Sequence, residues 1–127
     1  MDASSLIAEL GRRIGHADFA LSDLGTAALR IDGDLQLNLE HDEDERSLVL
    51  YLRLGAPPEH GREALYARLL NANLFGRGSG GGHVGLDPAR DELVLSRSLA
   101  LDHTDGVALE AAVAALVDAA RHLRADW

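Results

Sequence analysis

The chain has 127 residues, a one-domain length that can bury roughly two thirds of its unfolded surface, so an unaided core is expected. Hydrophobic residues make up 46% and charged residues 26%, which argues against disorder, and a formal charge of −9 argues against nucleic acid, since a polyanion needs a basic surface. Cysteine and lysine are both absent, which excludes disulfides, thiol nucleophiles, cysteine-ligated metals, Schiff-base chemistry and the P-loop lysine.

The first five residues, Met1-Asp2-Ala3-Ser4-Ser5, are acidic where a signal peptide is basic. The apolar run 111–117 is closed by Glu110 and Asp118, far short of the about twenty residues a membrane span needs. A soluble, intracellular protein is expected, with no membrane insertion. Leu6, Ile7, Leu10 and Ile14 fall at helical spacing and predict a first helix over 4–15, with Ser4 or Ser5 as N-cap and Gly15 as stop. A turn-like stretch leads to a short strand over 27–31. Asp32-Gly33-Asp34 then reads as a hairpin turn, because Gly accepts positive φ at no steric cost.

Two clear strands follow. Leu35, Leu37 and Leu39 alternate with polar residues, and Leu48, Leu50, Leu52 and Leu54 alternate with Val49, Tyr51 and Arg53. Period two with one apolar face predicts a sheet covered on one side. The charged run 41–46 between them predicts a solvated turn. Gly55-Ala56-Pro57-Pro58 ends the sheet and opens a second helix, which Leu65, Leu69, Leu70 and Ala72 carry to about residue 73. Residues 76–82 hold five glycines and predict a flexible loop. Strands over 83–86 and 93–101 come next. Arg97 interrupts the apolar face of the second, which implies a bulge, a sheet edge or a paired charge. The last helix carries a stripe of Leu109, Val113, Leu116, Val117, Ala120 and Leu123, with Asp105 as cap. The order α-β-β-β-α-β-β-α predicts a single α+β domain over 1–127 with an antiparallel sheet.

Candidate chemistry is sparse. Gly76-Arg77-Gly78-Ser79-Gly80-Gly81 matches G-x-G-x-x-G, but a helix precedes it and a strand follows, the reverse of a dinucleotide site. The acidic run after His41 lacks the glycine and distal Glu of a Ca²⁺ loop. Asp102 and His103 are adjacent, so within a strand they point to opposite faces, and the six histidines show no H-x-x-x-H or H-E-x-x-H spacing. No catalytic residue, metal site or cofactor site is expected. The three helices and the partly apolar second sheet face (Val49, Tyr51, Val94, Ala100) carry more amphipathic surface than one monomer hides, and so predict a dimer interface or an exposed binding patch.

Leu69-Leu70-Asn71-Ala72-Asn73-Leu74-Phe75-Gly76, followed by Val84-Gly85-Leu86-Asp87 and Glu92-Leu93-Val94-Leu95-Ser96-Arg97, resembles the class I type III secretion chaperones, the Tir-chaperone family. Length, acidity and element order agree over essentially the whole chain; the glycine-rich loop departs from the pattern. The resemblance implies a twisted antiparallel sheet with helices in a bacterial cytoplasmic homodimer without catalysis or cofactor. Such a protein binds the N-terminal segment of a secreted effector, keeps it soluble and secretion-competent, and has the secretion ATPase as a further expected partner. By the same analogy, Leu6, Leu10, Ile14, Leu29, Ile31 and Leu37 would line effector grooves, and Leu65, Leu69, Leu74 and Phe75 would lie near the dimer interface. Each of these residues is equally accounted for as plain core. A regulatory or adaptor module on the same fold, binding a folded secretion or transcription partner, is the alternative; a small-molecule enzyme would need a pocket of converging polar groups that the sequence does not show.

Overall fold

The computed structural model describes residues 2–33 and 35–125. Asp34, the third residue of the expected hairpin turn, lies outside the described residues, as do Met1, Asp126 and Trp127. The elements are α1 (Ala3–Arg13), β1 (Thr26–Asp32), β2 (Leu35–Asp42), β3 (Ser47–Gly55), α2 (Arg62–Asn73), β4 (His83–Asp87), β5 (Glu92–Ala100) and α3 (Gly106–Arg124), in the expected order. Short 3₁₀ turns at Leu74–Gly76 and Leu101–His103 follow α2 and β5.

Helix α1 starts earlier than its serines indicate. Asp2 is the N-cap, its Oδ1 accepting from the Ser5 N–H at 2.8 Å, and that bond holds the Asp2 carboxyl below the usual carboxylate range. Asp105 caps α3 as expected, accepting from the Ala108 N–H at 2.8 Å.

The five strands form one antiparallel sheet in the order β1-β2-β3-β5-β4, so β1 and β4 are its edges. The leucine face of β2 and β3 packs under α3, which lies across β3 and β5; α1 packs beside α3, and α2 lies against β4. Leu6, Ile7, Leu10, Leu37, Leu50 and Leu116 are among the fully buried side chains of the core. Each contributes about 1.5–3 kcal/mol relative to exposure.

The opposite face of the sheet is polar at its centre, the side an antiparallel sheet can leave to solvent. There the Tyr51 hydroxyl donates to Glu40 at 3.0 Å, and Arg53 pairs with Asp87 at 3.2 Å and Glu92 at 3.6 Å. The Arg53 guanidinium also lies 5.8 Å from the Tyr51 ring centroid. Val49, Tyr51 and Val94 are half-buried by such neighbours, and Ala100 is exposed.

The glycine-rich loop is packed where an open, flexible one was expected. Ser79 is fully buried and its hydroxyl donates to the Gly82 carbonyl at 2.6 Å. A Cβ on Gly80, whose φ is +64°, would stand 2.6 Å from the Ala115 carbonyl oxygen of α3. Arg97 explains the arrangement: it pairs with Leu50 in register on the core face of β5, and its Nη1 donates to the Gly80 carbonyl at 3.2 Å. The guanidinium interrupting the strand is therefore met by a backbone carbonyl of the loop, and the glycines let the loop close over it.

Candidate protein-binding surfaces

Two apolar surfaces remain open once the core is assembled. The first lies along α2 and β4. Leu65 and Leu69 point inward and are buried, which leaves Leu70 70%, Leu74 55%, Phe75 82% and Leu86 50% exposed. Between them a groove of about 210 Å³ is lined by Tyr66, Leu69, Leu70, Val84, Leu86 and Leu93. Phe75 is held out by its backbone, with φ at 57°, a left-handed conformation that costs a bulky residue about 1–3 kcal/mol. The Arg77 guanidinium lies 5.5 Å from its ring centroid.

Asn73 fixes this surface. Its Oδ1 accepts from the Val84 N–H at 2.7 Å and its Nδ2 donates to the Val84 carbonyl at 3.1 Å, so one side chain stands in for a neighbouring strand at the edge of the sheet. Backbone groups alternate sides along a strand, so the N–H and carbonyl of Leu86, two residues on, face the same edge. Periodicity offers no reason for an asparagine at position 73; the bidentate clamp on β4 is that reason.

The second surface lies at the other edge of the sheet. Strand β1 pairs with β2 alone, Leu29 opposite Leu37, with a bulge between Arg30 and Asp32. Leu29 and Ile31 share the core face with Leu37 and are half-buried, as is Ile14 at the end of α1. Leu6, Leu10 and Leu37 are fully buried beneath. The connector from α1 to β1 tucks Phe19 and Leu21 against the core and leaves Leu24 89% exposed. The effector-groove residues named from the sequence therefore divide into an accessible set (Ile14, Leu29, Ile31) and a covered set. The interface residues divide likewise, Leu74 and Phe75 open, Leu65 and Leu69 covered. Leu70 and Leu86, which lie off the buried stripe, are exposed beside them.

Among the described residues no group of three or more His, Cys, Asp or Glu could hold a metal ion, and no helix is long and apolar enough to cross a membrane. Asp102 accepts from Arg46 at 2.9 Å, a pairing across two turns. The hydrogen bond from Arg53 holds the Asp87 carboxyl below its ordinary range, while burial, helped by the bond to Glu40, pushes the Tyr51 phenol up.

The model of the Tir chaperone protein (CesT) family matches residues 5–124. No curated protein matches the sequence. Among solved structures, the Yersinia pestis type III secretion chaperone SycH, in complex with a stable fragment of YscM2, is 28% identical with a TM-score of 0.75, covering 94% of this chain and 98% of that one. The HopA1–SchA chaperone–effector complex gives a TM-score of 0.79 at 23% identity, covering 94% and 91% of the two chains. The heterodimeric ExoU–SpcU complex of the Pseudomonas aeruginosa type III secretion system gives 0.73 at 19% identity, with coverage of 96% and 94%.

Proposed function

The chain belongs to the Tir chaperone protein (CesT) family, and on that footing we propose that it is a homodimeric chaperone for a type III secreted effector. It acts in the bacterial cytoplasm as a single binding domain and not as an enzyme. It holds the N-terminal segment of the effector unfolded, soluble and ready for export, and the secretion ATPase is the partner that would receive the loaded complex. The family match across residues 5–124 carries this reading. The 28% identity to SycH, itself a type III secretion chaperone bound to a fragment of another protein, supports it.

The two open surfaces suit two tasks. Leu70, Leu74, Phe75 and Leu86 form a rigid apolar patch, braced from below by Leu65 and Leu69, of the kind a second copy covers. Edge strand β1 offers backbone groups to an extended guest, which tolerate many guest sequences. Ile14, Leu29 and Ile31 then contact apolar guest side chains over a floor of Leu6, Leu10 and Leu37. Ordering such a guest costs about 2–5 kcal/mol or more, so it must wrap a large apolar area to bind usefully. The formal charge of −9 keeps a dimer with open patches soluble by mutual repulsion.

Light scattering with the Leu70→Glu/Phe75→Glu variant tests the dimer. Both side chains are exposed, so the fold should persist while the mass falls to that of a monomer. A wild-type monomer would overturn the dimer. Co-expression with a secreted effector should yield a soluble complex in which only an extended effector segment is held; capture of a folded partner instead would favour an adaptor.

A further inference from the structure

A cleft of about 620 Å³ lies between α2, the glycine-rich loop and the last turns of α3. Helical geometry sets it apart from the apolar groove, because Arg68, Asn71 and Ala72 stand roughly half a turn around α2 from Tyr66, Leu70 and Asn73. Its floor is made of small residues, Ala72, Gly80, Ala115 and Ala119. Its rim carries Arg68, Arg77 and His122, against Asp118 as the one carboxylate among the described lining residues.

Two guanidinium groups around one cleft, with His122 beside them, run against the composition of a chain with formal charge −9. The negative end of the α3 dipole accounts for His122. It does not account for Arg77, which comes from the loop and is held by the Phe75 ring, 5.5 Å from its guanidinium. Arg68 is held by its bond to the Leu123 carbonyl at 3.2 Å. Two guanidinium groups on two different elements are thus fixed at the mouth of one furrow.

We propose that this cleft docks an acidic helical segment of a protein partner distinct from the secreted guest. A floor of Gly and Ala lets a helix backbone approach closely, and carboxylates one turn apart on that helix reach the rim guanidinium groups. A phosphate ligand is disfavoured despite the local glycines. The N–H groups of Gly78, Ser79, Gly81 and Gly82 already donate to the carbonyls of Ala72, Gly76 and Ser79, so these four amides are not turned toward an anion. No aromatic ring lines the cleft to stack a base.

The test titrates the ¹⁵N-labelled chain with an alanine-based helical peptide carrying Glu at four-residue spacing. Its Lys counterpart, inorganic phosphate and ATP serve as the other arms. The proposal expects saturable shifts at the amides of Gly78, Gly80, Ala115 and Ala119 with the Glu peptide alone. Affinity should fall about tenfold or more in Arg77→Glu/His122→Glu, and similarly in Ala115→Leu, which fills the furrow from an exposed helix position without changing charge. Absence of saturable shifts, equal shifts with the Lys peptide, or tighter binding of phosphate or ATP at these amides would each overturn it. The titration uses the guest-free chain, so its failure leaves the proposed function standing, and a failure of dimer or guest binding leaves this cleft untouched.

Discussion

Replacing Asn73 with alanine removes both hydrogen bonds between the end of α2 and edge strand β4, at 2.7 and 3.1 Å. Each bond contributes about 0.5–1.5 kcal/mol net, so the pair is worth about 1–3 kcal/mol. The upper half of that range applies if water fails to reach the Val84 amide, and Val84 is buried. For a chain of this size, Tm should fall by about 4–12 °C. Thermal and urea unfolding at one fixed protein concentration measure the effect, with Asn71→Ala as control. Asn71 is exposed on the same helix and should cost less than about 0.5 kcal/mol. Hydrogen exchange at the Val84 amide should accelerate in Asn73→Ala alone. Equal stability of Asn73→Ala and wild type, or equal damage from Asn71→Ala, would refute the clamp.

Gly80→Ala should destabilise the fold far more than Gly15→Ala: both glycines have positive φ, at 64° and 81°, but only at Gly80 would a Cβ meet backbone, the Ala115 oxygen at 2.6 Å. Paired urea titrations check this, and equal losses would mean the loop is not packed. Leu50→Ala, at a fully buried position opposite Arg97, should cost about 2–5 kcal/mol by the same measurement. The lowered pKa of Asp87 makes a prediction in acid. Its ion pair with Arg53 favours the folded state above the ordinary carboxylate pKa and ceases to do so as pH falls through the depressed value. Asp87→Asn should therefore flatten the acid limb of the stability–pH curve below about pH 4 and leave its shape near neutrality unchanged.

Most of the fold was legible in the sequence because leucine carries it. The alternation in β2 and β3 and the stripe of α3 are both period signals, and each predicted face is the buried one. Departures came where a single side chain overrode the local pattern. Asp2 reached the Ser5 amide before the serines could cap α1. Arg97 turned a run of glycines from an open loop into a packed lid, a long-range contact that no local window contains.

The binding surfaces were legible only in part, for a reason rooted in burial. Leu6 and Leu70 are the same residue type on helices, yet one is fully buried and the other 70% exposed. Pattern names apolar positions; it does not say whether their own chain covers them. On α2 the difficulty is sharper, since Leu65 faces the core, Leu69 is buried at the base of the groove and Leu70 stands open beside it.

The most direct test is limited proteolysis of the N-terminal segment of a type III secreted effector that co-purifies with this chain, alone and in complex. The bound segment should stay protected yet unfolded, and charge-bearing substitutions at Leu29 and Ile31 on β1 should abolish the protection. Cleavage at the same rate with and without the chain would contradict it.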